Sequence, residues 1–190
     1  MRKIDVYTFI AQQRPIAKPL IGEADISHFR RFCSDLPTQK LATESLDESL
    51  VRNQVYWQVE GEQLSTEVYP QGRYLLHFLI EAEPVVICQR CMKPFRFALT
   101  VEATVEVVPS EQQLEAVSES GEVVLDDYEK VVANPYLDIL ELVEDELILA
   151  LPFMPSHESC EEGQALLDEY ATPAEESPFA VLKNLKIASV

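Results

Sequence analysis

Phe95-Arg96-Phe97-Ala98-Leu99-Thr100-Val101-Glu102-Ala103-Thr104-Val105-Glu106-Val107 is the stretch that decides the fold class. Phe95, Phe97, Leu99, Val101, Ala103, Val105 and Val107 alternate with Arg96, Ala98, Thr100, Glu102, Thr104 and Glu106. Period two over this length describes a strand with one buried face and one wet face.

Two further strands are predicted upstream. From Gly72, Tyr74, Leu76, Phe78 and Ile80 alternate with Arg73, Leu75, His77 and Leu79. That run is apolar on much of both faces, as a central strand is. Val51, Val55, Trp57 and Val59 alternate with polar neighbours until a turn at Gly61-Glu62. Before them, Ala24 to Leu36 reads as a short helix capped by Asp25 or Ser27. His28 and Cys33 fall there as structural residues, neither having a partner at ligand spacing.

Downstream, a polar loop with one helical turn follows Pro109, and Val123 to Val132 holds a short strand. Ile139, Leu140, Val143, Leu147, Ala150 and Leu151 then share one helical face, opened by Asp138 and closed by Pro152. Glu141, Glu144, Asp145 and Glu146 read as the solvated side of that helix. The expected fold is α+β: an antiparallel sheet from residues 51–60, 72–83 and 95–107, packed with a few helices including one near 138–151. Residues 1–152 form a single domain on this reading. Residues 153–190 form an acidic, proline-rich tail, poorly ordered over 156–177, with a docking segment at 178–187 built on Phe179, Leu182, Leu185 and Lys186.

Charge is unevenly placed along the 190 residues. Residues 1–96 carry 12 basic and 12 acidic side chains, whereas 97–182 carry 21 acidic ones against Lys130 alone. An acidic half repels phosphate and suits a basic protein partner, or simply keeps the chain in solution. No run of about 18 uncharged apolar residues is present, as a membrane span requires. Asp5 interrupts the opening Met1-Arg2-Lys3 too soon for a signal peptide. A cytoplasmic protein is expected, with its four cysteines reduced or bound to metal.

Cys88-Gln89-Arg90-Cys91 between two strands is half of a tetrahedral zinc site, and His157-Glu158-Ser159-Cys160 offers the complement. Spacing leaves three readings open for Cys88, Cys91, His157 and Cys160: zinc, redox chemistry, or a metal-free structural role. No thioredoxin-like βαβ pattern surrounds the pair, which weakens the redox reading. Arg90, Lys93 and Arg96 gather nearby, either as a small phosphate- or partner-contacting patch or as a solvated strand end. Phe95 and Phe97 are expected to pack in the core. No Ser/His/Asp set, His-Glu-x-x-His or phosphate-cradling glycine loop occurs, so neither enzyme activity nor a small-molecule substrate is expected.

The run Cys88-Gln89-Arg90-Cys91-Met92-Lys93-Pro94-Phe95 resembles the C-x-R-C-x-x-P-F signature of the YceD family. Val143-Glu144-Asp145-Glu146-Leu147-Ile148-Leu149-Ala150-Leu151-Pro152 is similar to that family's helix, and His157 and Cys160 fall where it often carries His and Cys. Ser177-Pro178-Phe179-Ala180-Val181-Leu182-Lys183-Asn184-Leu185-Lys186 resembles its closing motif, with Ser177 in place of Asn. The resemblance implies a non-enzymatic factor in large ribosomal RNA subunit accumulation, with a part in 23S rRNA synthesis, processing or stability and in large-subunit assembly. Partners would be ribosomal proteins or rRNA-processing factors. Acidic residues Glu161, Glu162, Asp168, Glu169, Glu175 and Glu176 are the expected contacts to a basic partner. Two alternatives stand beside this. One is direct 23S rRNA contact through the N-terminal half and the Arg90–Arg96 patch. The other is a zinc- or redox-sensing regulator using the cysteines.

Overall fold

A computed structural model describes residues 3–12, 18–39, 53–65, 72–114, 128–133 and 135–169. Its centre is a five-stranded sheet of β2 (Leu20–Asp25), β3 (Gln54–Leu64), β4 (Arg73–Ala82), β7 (Leu99–Val108) and β8 (Glu129–Val132), in that spatial order. The first four strands pair antiparallel, as predicted for β3, β4 and β7, while β8 pairs parallel to β7; β3 runs on through Gly61-Glu62, where the sequence predicts a turn. A short ribbon joins β1 (Lys3–Asp5) to β9 (Tyr136–Asp138), and a second joins β5 (Val85–Ile87) to β6 (Pro94–Arg96). Helices α1 (Val6–Gln12), α2 (Arg30–Cys33) and α3 (Ile139–Ala150) contribute to the core, and α4 (Glu161–Glu169) follows.

One sheet face is the core side. Val55, Trp57, Val59, Leu76, Phe78, Ile80, Val101 and Val105 are buried there with Ile10, Ile26, Val143 and Leu147 from the helices. Phe29 meets the Trp57 indole edge-on at 6.4 Å between centroids. Gly22 lies opposite Trp57 in the ladder, and a Cβ there would sit 2.3 Å from the indole. Only glycine lets β2 pass beneath that ring.

The long predicted strand at 95–107 is broken. Pro94–Arg96 pairs with β5, and the ladder with β4 begins only at Leu99. The Phe97 amide donates to Pro84 O at 2.9 Å, which turns the chain out of the main sheet. Strand β5 is held from its other side by the buried Gln39 amide, which donates to Val85 O and accepts from Val85 N. A side chain here takes the place of a missing strand, because buried backbone groups must find partners.

The helix predicted over 24–36 is mostly not one. Leu20–Asp25 is strand, a single tight turn covers Ile26–His28, and α2 has four residues. Asp25 does cap that turn, accepting from the Ser27 amide at 2.9 Å. Ala24 and Asp25 pair with Val55 and Gln54, and this ladder overrides local helix propensity. Helix α3 forms as predicted, with the Asp138 carboxylate accepting from Leu140 N at 3.1 Å. Its acids are not all solvated, however. Glu144 and Glu146 are buried. Glu144 accepts from the amides of Arg31 and Phe32, at 2.7 and 3.2 Å, and from the Arg31 guanidinium at 3.0 Å. A carboxylate from α3 thus caps α2, whose own N-cap Phe29 makes no side-chain cap bond.

Candidate metal centre

The β5–β6 ribbon ends in the turn that carries the first two cysteines. Cys88 N donates to Lys93 O, and Met92 N to Cys88 O, both at 2.9 Å. Met92 takes φ of +59°, the left-handed conformation that lets a tight turn close. Its side chain is exposed, so the strain is confined to the backbone.

The chain after α3 is brought to this turn by one backbone bond, from Gln89 N to Pro155 O at 2.9 Å. His157 follows, and Cys160 immediately precedes α4, its carbonyl oxygen accepting from Gln164 N at 2.9 Å. The thiol of Cys160 also faces the amide of Gly163. A Cβ on Gly163 would lie 2.5 Å from Arg90 Cβ and 2.8 Å from Cys160 Sγ. Glycine is therefore required for the first turn of α4 to seat on the Cys88–Cys91 turn. Among the described residues, Gly163 is the contributor to this site that sequence reasoning misses. Its one signal was a rare glycine three positions after a candidate ligand.

One ligand atom from each of Cys88, Cys91, His157 and Cys160 lies within 4.8 Å of the other three. Cys88 Sγ is 3.7 Å from Cys160 Sγ, and Cys91 Sγ is 3.6 Å from His157 Nδ1. Tetrahedral zinc with bonds of about 2.3 Å to sulfur and about 2.0 Å to nitrogen sets S···S at roughly 3.8 Å and S···N at roughly 3.5 Å. These two pairs therefore lie at the spacing a Cys3His site requires. Cys88 and Cys160 are buried, whereas Cys91 and His157 are half-buried and line an open depression that gives an ion access.

The electrostatics suit an anion at Cys88. Burial pushes its thiol up, but the amides of Cys91, His157 and Arg90 and the Cys91 thiol outweigh it and hold the thiol at about 5. Burial pushes the Cys160 thiol up, and the neighbouring thiols of Cys88 and Cys91 add to that, against the Gly163 amide. Several thiols crowded so closely resist becoming anions together unless a cation joins them. Cys33 stands apart, donating to Ile26 O, and burial raises its thiol, followed by Glu144 and Asp25.

The His157 ring rests against Phe95, with centroids 4.2 Å apart, and Phe97 meets Phe95 edge-on at 6.3 Å. Phe97 packs on the core as predicted; Phe95 instead packs between Phe97 and the histidine. Lys93 Nζ is 2.6 Å from Glu162 Oε1, bridging the turn before β6 to α4. Arg96 donates to Glu83 O, and Arg90 is exposed with its Cβ over Gly163. Glu161, Glu162, Asp168 and Glu169 are exposed on α4, within the stretch expected to lack order. Glu175, Glu176 and the segment 178–187 lie outside the described residues.

Residues 76–186, which hold Cys88, Cys91, His157 and Cys160, match the family model for the large ribosomal RNA subunit accumulation protein YceD. The chain belongs to the YceD family. A Haemophilus influenzae protein named large ribosomal RNA subunit accumulation protein YceD is 35% identical over 133 residues, covering 65% of this chain and 71% of that one. No solved structure matches the chain. As in the sequence reading, no described helix is long and apolar enough to cross a membrane.

Proposed function

We propose that this YceD-family chain is a non-enzymatic, cytoplasmic ribosome biogenesis factor that supports accumulation of the large ribosomal RNA and assembly of its subunit. It acts through basic protein partners, and zinc on Cys88, Cys91, His157 and Cys160 fastens its acidic C-terminal part to the sheet. The family supplies the process; the placement of charge supplies the mode.

The observation that carries the mode is the sheet face turned away from the core. Register pairs put Glu23, Tyr56 and Glu81 in one row, Gln58, Leu79 and Glu102 in the next, and Glu60 with His77 in a third. Residues paired across a ladder share a face. The N-terminal half, neutral by count, thus gathers acids on one surface. Glu62 joins them, bonded to His77 at 3.0 Å, whereas Glu106 farther along the same face is buried against Arg73. Phosphate contact needs several lysines or arginines on one surface. This face and α4 offer carboxylates instead, with Tyr56 and Leu79 exposed among them. A basic ribosomal protein fits that surface, since opposite fields speed encounter and are screened by salt.

The test is a pull-down of the tagged chain from cells with and without nuclease. Basic large-subunit proteins should remain after nuclease and be lost as salt rises. Neutralising Glu161, Glu162, Asp168, Glu169, Glu175 and Glu176 should weaken capture further. Loss of every partner on nuclease treatment would sink the protein-mediated reading in favour of direct rRNA contact. Elemental analysis of protein purified under reducing conditions should find one zinc per chain.

A further inference from the structure

Between β8 and α3 lies a groove of about 310 Å3. It sits at the edge of the sheet on the core side, where Val105 pairs with Glu129 and Val107 with Val131. Val105, Val131, Leu142, Ile148 and Leu149 give it apolar walls, and Leu149 is 66% exposed. A water molecule takes up about 30 Å3, so the space is of side-chain size.

Two carboxylates enter these apolar surroundings, Glu146 from α3 and Glu129 from β8. Glu146 is only 9% exposed, and among the described residues no group donates a hydrogen bond to it or pairs with it. Burial, then the charges of Glu129 and Asp145, push its carboxyl up. The other charges nearby are committed elsewhere. Asp145 is held by Arg31 at 2.7 Å. Lys130 pairs with Glu106 across the ladder and so belongs to the opposite sheet face. A buried carboxylate in apolar surroundings is costly until a cation reaches it.

A divalent metal ion needs a shell of several oxygens. Among the described residues, the ligand atoms that converge are those of Cys88, Cys91, His157 and Cys160, not these. An ammonium on an aliphatic stem fits better. The stem lies along the apolar walls, and three N–H donors serve two carboxylates at once. A lysine side chain has this chemistry. We infer that the groove receives a lysine side chain of a basic protein partner, its stem against Val131, Leu142 and Leu149 and its ammonium between Glu129 and Glu146. The choice of a protein lysine rests on the basic-partner reading above; the groove itself is independent of the metal.

The first test is a nuclear magnetic resonance titration of the full chain with n-butylammonium chloride, which carries the lysine head and stem. Saturable shifts should appear at the amides of Val131 and of Leu142 to Leu149. Neither n-butanol nor sodium chloride at equal ionic strength should reproduce them. E146Q should raise the dissociation constant at least about tenfold, and E129Q should weaken binding in the same direction. E146Q should also raise the urea midpoint of the free chain, because it removes a desolvated charge and keeps the shape. Shifts confined to other surfaces, equal binding by both variants, or a lowered midpoint in E146Q would each overturn the proposal. The second test offers the chain the proteins stripped from purified large subunits by lithium chloride. The E129Q/E146Q variant should capture at least about tenfold less of the basic ones. Full capture by the variant would overturn this site and leave the basic-partner reading standing. No capture by the unaltered chain would overturn that reading, a failure that the butylammonium titration, which needs no protein partner, tells apart from failure of the site.

Discussion

The five-stranded sheet and the segment from Pro155 to Glu169 are ordered for opposite reasons. The sheet buries Val55, Val59, Leu76, Ile80, Val143 and Leu147 almost completely, and each such side chain contributes about 1.5–3 kcal/mol. The later segment buries Pro155, Cys160 and Gly163 and little else, and Leu166 and Leu167 on α4 are exposed. A nine-residue helix of this composition is marginal alone. What orders it is polar and local: the Gln89–Pro155 bond, the Lys93–Glu162 pair and the four converging ligands. One region carries its stability in its own packing; the other borrows it, on the proposed zinc site, from a cross-link.

Removing the cross-link should break that comparison most sharply. A chelator, or Cys160→Ser, should abolish hydrogen-exchange protection over 157–169 while leaving β3, β4 and β7 protected, because structural zinc contributes about 10–16 kcal/mol at sites of this kind. Loss of the sheet as well would mean that the two regions fold as one unit.

The converse change lies within the sheet. Arg73 and Glu106 are a largely buried pair, Nε to Oε1 at 2.9 Å, with Arg73 also 5.2 Å from the Tyr128 ring. Glu106→Gln removes one carboxylate from a largely buried guanidinium and should cost up to about 3–5 kcal/mol in denaturant unfolding, with the geometry of the Cys88–Cys160 cluster unchanged. Glu144→Ala should cost less, about 1–3 kcal/mol, since it uncovers the amides of Arg31 and Phe32. Its measure is the urea midpoint at constant slope. The smallest effect sharpens the metal side: Met92→Gly relieves a left-handed backbone and should stabilise the turn by up to about 1 kcal/mol, read as slower metal loss to a competing chelator.

The readable parts of the sequence were those with a period. Alternation located β3, β4 and β7, and three-to-four spacing located α3, because burial of one face repeats at the period of the element. Neither the break at Phe97-Ala98 nor the parallel approach of β8 carries a local signal; both depend on partners distant in sequence. Glu144 and Glu146 looked solvated because a carboxylate on a helix usually is, and only the approach of α2 gives Glu144 amides to accept. Residues Cys88, Cys91, His157 and Cys160 were legible as ligand types at ligand spacings. Their convergence was not, since nothing in either short motif states that the other lies beside it. The order of α4 was hidden for the same reason: its composition is that of a solvated tail, and what anchors it is Gly163 against Arg90.

The ligands arrive in two instalments, and synthesis makes that a matter of time. Cys91 and His157 are 66 residues apart. At about 5–20 residues per second, roughly 3–13 seconds pass between them on the ribosome. Every strand of the sheet is made within or before that interval, while Cys88 and Cys91 wait as an open dithiol on a finished hairpin. On the proposed zinc site, an ion held at Cys88 and Cys91 is enclosed only once residues 157–160 have been made, so its capture would report that the sheet beneath it has been completed.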